Sequence, residues 1–201
     1  MIRVALVEDQ TTLRGAIRTL LELEPDLTVV ADLGSGAGVP EIFDETRPDV
    51  VLLDIEMGEE SGLALAEKLA ERPDPPLLMI LTTFERPGYV RRALEAGVRA
   101  YLTKNTPVGD IAQAIREVVA GRMLIEDQQL RAAMSVGQNP LTERERDVLV
   151  AARSHDTVAE IAAHLHLSVS TVSNYITAAI SKTGSRNRIE AIRFAEDNGW
   201  L

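Results

Sequence analysis

Asp49-Val50-Val51-Leu52-Leu53-Asp54 places four apolar residues in a row between two aspartates. A strand with one face in water alternates apolar and polar positions, and this run does not. It is also too short for a helix. It reads as a strand covered on both faces, the kind found in parallel sheets. Asp54 closes the run at its carboxyl end, which is where open parallel sheets bind their ligands.

Four similar runs lie on either side: Ile2–Val7, Leu27–Leu33, Leu77–Thr82 and Arg99–Leu102. Helical spacing fills the gaps. Leu13, Ile17, Leu20 and Leu21 recur at i, i+4, i+7 and i+8, and so do Ile111, Ile115, Val118 and Val119. Five strands alternating with five helices over residues 1–121 predict an α/β domain. Its expected architecture is a doubly wound, flavodoxin-like, five-stranded parallel sheet. Gly34, Ser35, Gly36, Ala37 and Gly38 follow the second strand without a full dinucleotide fingerprint, and read as a plain loop.

The pattern changes after residue 121. Residues 122–138 repeat no strand–helix unit and read as a linker, with helical character around Gln128–Met134. From Asn139 to Leu201 every signal is helical. Thr142 with Glu145, and Thr157 with Glu160, have the spacing of capping boxes. Further helices fit Ser168–Lys182 and Asn187–Asp197, with Gly199 as a stop. An all-α, four-helix second domain over 139–201 is expected.

Composition narrows the setting. The chain has no cysteine, so disulfides and cysteine-ligated metals are excluded and an intracellular setting is favoured. Apolar runs reach about five residues, as in Leu77–Leu81, against the ~20 that span a bilayer. With no signal peptide legible at the N-terminus, a cytoplasmic protein without membrane association is expected. Net charge is −10, and the acidity lies in the first part. Residues 1–121 carry 12 Lys+Arg against 21 Asp+Glu, while residues 139–201 carry 7 against 8.

The strand ends collect a specific set of groups. Glu8 and Asp9 follow the first strand, Asp54 ends the third, Thr82 ends the fourth and Lys104 follows the fifth. If those four strands are neighbours, the groups converge on one pocket. Crowded carboxylates repel, and a hard cation such as Mg²⁺ is their natural neutraliser. Glu8 and Asp9 are expected to hold it beside Asp54, with the backbone carbonyl of Glu56 as a further ligand. Lys104 and Thr82 then suit the oxygens of a phosphoryl group, and Asp54 is the nucleophile that forms an acyl phosphate.

In the second domain, Glu160-Ile161-Ala162-Ala163-His164-Leu165 and Leu167-Ser168-Val169-Ser170-Thr171-Val172 are separated by a short turn at His166, as in a helix-turn-helix. Val172, Ile176, Ala179 and Ile180 form the buried stripe of the second helix. Its opposite face presents Ser170, Asn174, Thr177 and Ser181, with Ser173 at the edge and Thr171 in the first turn. Such a face suits the major groove, with Asn174 able to pair bidentately with adenine. Lys182, Arg186 and Arg188 are candidate phosphate contacts. His155, His164 and His166 read as surface or packing residues rather than a metal site.

Val7-Glu8-Asp9-Gln10, Pro48 to Asp54, Leu81-Thr82-Thr83 and Ala96 to Lys104 together resemble the receiver domain of response regulators. The segment from Leu141 to Trp200 resembles the LuxR-type helix-turn-helix of the NarL/FixJ response regulators, most of all the DesR/LiaR-type members. The resemblance covers essentially the whole chain. It implies a sensor histidine kinase that phosphorylates Asp54, a Thr82 hydroxyl that moves toward the phosphate, and a Tyr101 ring that turns inward. It also implies a homodimer on phosphorylation, joined through the first and fifth receiver helices, and double-stranded DNA and the transcription machinery as partners. Beyond assisting its own phosphoryl transfer, the chain is not expected to be an enzyme. The sequence departs from the family at Met57-Gly58, where Met-Pro is usual, at Asn105, where proline is common, and at Ser173 and Thr177, where basic residues are frequent. Two other functions fit parts of the pattern: a receiver that controls a protein partner, and an Mg²⁺-dependent aspartyl-phosphate phosphohydrolase of the haloacid-dehalogenase type. The latter would want a second aspartate where Glu56 stands.

Overall fold

The computed structural model describes residues 1–201 apart from 58, 59, 84, 136 and 138, with Glu60 described by its backbone alone. In chain order its elements begin β1 (Ile2–Val7), α1 (Thr11–Leu21), β2 (Leu27–Leu33), α2 (Val39–Thr46), β3 (Val50–Leu53), β4 (Glu56–Met57) and β5 (Glu60–Ser61). They continue α3 (Gly62–Ala70), β6 (Leu77–Thr82), α4 (Pro87–Glu95), β7 (Ala100–Thr103), α5 (Val108–Val119) and α6 (Asp127–Ser135). The last four are α7 (Glu143–Ala151), α8 (Val158–His164), α9 (Val169–Thr183) and α10 (Arg188–Asp197). The chain divides into two compact units, Met1–Glu85 with Val90–Arg131 and Arg86–Tyr89 with Ala132–Leu201.

The first unit is built on a five-stranded sheet in the order β2-β1-β3-β6-β7, with every neighbouring pair parallel. The order reverses between β1 and β3, and such a reversal opens a crevice beyond the strand ends. All four residues of β3 are buried, and Val4 to Val7 of β1 are buried with them. On one face Leu6, Leu52, Met79 and Leu81 pack with Ile17 and Leu21 of α1 and with Ile111, Ile115 and Val118 of α5. Leu13, Ile17 and Leu21, with Ile111, Ile115 and Val118, are therefore the packing surface read from the helical spacing, whereas Leu20 and Val119 at its edges are exposed.

Two strands differ by a residue or two from expectation. The third strand is Val50–Leu53 rather than Asp49–Asp54, although Asp54 N–H still donates to the Val7 carbonyl at 2.9 Å. The last strand is Ala100–Thr103 rather than Arg99–Leu102. The antiparallel pair β4–β5, with Glu56 opposite Ser61, was not anticipated. Two-residue strands carry no periodicity from which to read them.

In the second unit both capping boxes form: Thr142 and Glu145 close the start of α7, and Thr157 and Glu160 that of α8. Ser168 caps α9 by accepting from the Thr171 N–H at 3.1 Å, and Asn187 caps α10 by accepting from Glu190 at 2.9 Å. Gly184 ends α9 at φ 64°, a left-handed backbone that glycine adopts without a Cβ penalty. Ile161 and Ala162 of α8 pack with Val148 of α7 and with Val172 and Ile176 of α9. A second cluster joins Leu141, Leu149, Ala179, Ala195 and Trp200. Among the described residues no helix is long and apolar enough to cross a membrane.

Candidate functional site

β1, β3, β6 and β7 are neighbours in that sheet, so the groups at their ends meet. Glu8 and Asp54 are almost wholly buried, and Thr82 is fully so. The Lys104 ammonium sits between the two carboxylates, 2.8 Å from Asp54 Oδ2 and 2.8 Å from Glu8 Oε2. Its position is fixed by the sheet, since the Lys104 N–H donates to the Thr82 carbonyl at 2.9 Å. Glu8 Oε1 also accepts from the Gln10 N–H at 3.0 Å. On the outer side Arg14 Nη1 donates to the Glu8 carbonyl at 2.7 Å and pairs with Asp32, which holds the β1–α1 turn against the end of β2.

Burial pushes the Glu8 carboxyl above its ordinary range. The Lys104 and Gln10 hydrogen bonds pull it down, and the charge of Asp54 pushes it up again. Burial alone would lower the Lys104 ammonium, but its bonds to Asp54 and Glu8 outweigh that and hold it raised. One buried cation thus faces two buried carboxylates, with exposed Asp9 adding a third at the rim. Glu8, Asp9 and Asp54 each offer an oxygen within 4.8 Å of the others. Ligands on opposite sides of Mg²⁺, at ~2.1 Å each, are roughly 4.2 Å apart. The all-oxygen donor set, its excess negative charge and its spacing fit that ion.

The Glu56 side chain is exposed in β4 and stands outside this carboxylate group, so it offers no second acid to the pocket. Tyr101 is buried, at 2% exposure, on β7. Gly58, which stands where proline is usual in the family, lies outside the described residues. Sequence reasoning passed over Gly62. A Cβ there would meet the Asp54 carbonyl oxygen at 1.8 Å, so the start of α3 rests on the peptide that carries Asp54.

In the second unit, α8, a turn containing His166 at φ 54°, and α9 form the expected helix-turn-helix. Ser170, Ser173, Asn174, Thr177 and Ser181 are all exposed on α9, and Val172, Ile176 and Ala179 are buried beneath them. Thr171 is half-buried, and its hydroxyl lies 2.7 Å from that of Ser168, so it helps to close the cap. The basic residues expected to meet phosphates are engaged within the domain. Lys182 pairs with Glu145 at 2.7 Å, Arg186 is held by Glu190 along its own turn, and Arg188 donates to the Asp156 carbonyl at 2.9 Å. Among the histidines, the rings of His155 and His164 stack at 4.7 Å, and no histidine joins a metal-ligand group among the described residues.

Comparison with known proteins matches residues 4–116 to the response regulator receiver domain, and residues 139–195 to the bacterial regulatory proteins of the luxR family. The transcriptional regulatory proteins YvfU and DesR of Bacillus subtilis are 41% and 40% identical to this chain, each over the full length of both proteins. Among solved structures, the response regulator ChrA of a heme-sensing two-component system aligns over 100% of this chain and 98% of its own, with 30% identity and a TM-score of 0.56. The response regulator RcsB in a DNA complex aligns over 98% of both chains with a TM-score of 0.63, a likeness of fold at 20% identity.

Proposed function

This chain belongs to the two-component response regulators that join a receiver domain to a LuxR-type DNA-binding domain, and from that premise we propose that Asp54 is its phosphoacceptor. The observation that carries this is the Lys104 ammonium shared between buried Asp54 and buried Glu8, with Asp9 at the rim. Glu8, Asp9, Asp54 and the Glu56 carbonyl would hold Mg²⁺, which when bound neutralises their charge and that of incoming phosphoryl oxygens. An Asp54 carboxylate oxygen attacks the phosphorus of a kinase phosphohistidine or of a small phosphodonor. The new O–P bond replaces the P–N or P–O bond of the donor, whose leaving group departs with its electron pair. Lys104 turns N–H donors from the carboxylate to the phosphoryl oxygens, and the Thr82 hydroxyl donates to another. Tyr101 follows Thr82 as the switch that carries the change outward.

Residues 1–121 act as the receiver, 122–138 as linker and 139–201 as the DNA-binding domain of a cytoplasmic transcription regulator. Phosphorylation favours a homodimer through α1 and α5, in keeping with the resemblance to the DesR/LiaR type. Two copies of α9 then meet half-sites about one DNA turn apart, reading bases through Ser170, Ser173, Asn174 and Thr177. Thr171 supports that face, while Lys182, Arg186 and Arg188 border it. Joining two weak modules raises affinity through effective concentration.

The test compares wild type with Asp54→Asn, with and without acetyl phosphate and Mg²⁺. Intact mass, peptide mapping and selection from random duplexes are the readouts. One phosphoryl group on Asp54, with tighter and sequence-specific DNA binding, is expected in wild type only. Phosphate on another residue, or DNA binding indifferent to it, would overturn the proposal.

A further inference from the structure

β7 is an edge strand of the sheet, and an edge leaves a row of backbone N–H and C=O groups open to another strand. Here that edge is taken by the segment after α5. The Leu124 N–H donates to the Arg99 carbonyl at 2.7 Å, and the Tyr101 N–H donates to the Leu124 carbonyl at 3.0 Å, a parallel bridge opposite Ala100. The Leu124 side chain packs on the core of the receiver. Five residues on, buried Gln129 accepts from the Glu126 N–H at 3.1 Å and donates to Glu85 Oε1 at 3.3 Å.

The two attachment points are informative. One is the backbone of Tyr101 itself, and the other is Glu85, three residues beyond Thr82. A single short segment is therefore held both by the backbone of Tyr101 and by the side chain of Glu85, on the loop that follows Thr82. A cavity of about 420 Å³, lined among others by Tyr101, Thr103, Leu124 and Gln129, lies beside the segment and leaves the ring and the segment room to move. A segment held by few bonds at a sheet edge opens at far lower cost than the strands beneath it.

We propose that residues 122–129 are a strap docked on the open edge of β7, and that phosphorylation of Asp54 releases it. The proposal rests on Asp54 being the phosphoacceptor. Thr82, drawn toward the phosphoryl oxygens, takes the chain at Glu85 with it and breaks the Gln129 hydrogen bond. The bridge at Leu124 then opens, and residues 122–129 leave the edge of β7, which lets the DNA-binding domains pair.

Hydrogen exchange on the full chain tests the release. With acetyl phosphate and Mg²⁺, the Leu124 and Glu126 amides are expected to exchange at least about threefold faster, while Leu52 in β3 is unchanged. Protein phosphorylated on Asp54 whose Leu124 and Glu126 amides exchange no faster overturns the proposal. A second arm needs no phosphate. In an Asp54→Asn background, Gln129→Ala and exposed Glu85→Ala remove the same hydrogen bond from opposite sides, and thermal unfolding confirms that both fold. Each is expected to bind several-fold more tightly to the duplex that wild type selects from a random library. If neither binds better than Asp54→Asn alone, the strap is no part of the switch. If wild type takes no phosphate on Asp54, the phosphoacceptor assignment falls, and this second arm decides the strap by itself.

Discussion

Gly62→Ala isolates the geometry of the phosphoacceptor from its chemistry. Ser61 caps α3 by accepting from the Leu63 N–H at 3.3 Å, and the Gly62 N–H donates to the Ile55 carbonyl at 2.9 Å. The helix start is thereby pinned on the peptide that follows Asp54. A Cβ at position 62 would lie 1.8 Å from the Asp54 carbonyl oxygen, 2.8 Å from its carbon and 3.2 Å from Ile55 Cα. Real Cβ contacts stay beyond 3.0 Å, so the gap must open by about 1.2 Å, the difference from 1.8 Å. All three neighbours are backbone, and no side chain can turn aside to absorb the shift. A displacement near 1 Å at a reacting group costs on the order of 10²-fold in rate. Overpacking costs about 1–3 kcal/mol, against ~5–15 kcal/mol for a typical domain, so the variant remains folded. The assay is the time course of acetyl phosphate labelling in Mg²⁺, followed by intact mass, with thermal melts alongside. Gly15→Ala and Gly109→Ala are the controls, since a Cβ at either meets nothing within 4 Å. Helix propensity predicts that each stabilises by up to ~1 kcal/mol and labels normally. A folded Gly62→Ala protein labelled within about threefold of wild type would refute the inference that this contact places Asp54.

Four other outcomes are expected. Arg116 bonds Asp26 at 2.7 and 2.9 Å, and this holds the Asp26 carboxyl down at about 2. A carboxyl depressed in the folded state stabilises above its unfolded value and loses that contribution as pH falls toward the folded one. Melts of wild type and Arg116→Gln should therefore differ at pH 7 and converge between about pH 4 and 2; a gap that persists unchanged at pH 2 would contradict the pairing. Thr142→Ala removes the cap of α7 and should cost about 1 kcal/mol in urea unfolding, read from Trp200, the only tryptophan, which packs in the cluster with Leu149 of that helix. Asn174→Ala should cost ~1–3 kcal/mol of DNA affinity and relax sequence preference at one position, measured by titration against single-base variants of the selected duplex. Lys182→Ala should leave the salt slope of binding nearly unchanged, because Glu145 already neutralises that ammonium.

Much of the site was legible because its residues stand at strand ends. Glu8, Asp9, Asp54, Thr82 and Lys104 each follow a short apolar run, and parallel strands of that kind end on one side of the sheet. The face of α9 was legible for a similar reason, since a 3.6-residue period assigns Val172, Ile176 and Ala179 to the core and leaves Ser170, Asn174 and Thr177 outside. Gly62 was not legible. Its importance depends on how close two backbones come, and a glycine in a sequence looks the same whether its missing Cβ faces water or a carbonyl. The ion pair of Lys182 and the hydrogen bond of Arg188 to a backbone carbonyl were hidden for a related reason. Lys182 meets Glu145 across 37 residues and Arg188 meets Asp156 across 32, and no local period links such positions.

The amino-acid order alone settled the alternation of strands and helices, the two capping boxes and the set of groups at the strand ends. All of these follow from local spacing and from the chemistry of single side chains. The tertiary structure decided that β1, β3, β6 and β7 are neighbours, that Lys104 lies 2.8 Å from both Asp54 and Glu8, and that Leu124 returns to the edge of β7. Those contacts join residues distant in the chain, so they exist only once the sheet has assembled and burial has brought the partners together.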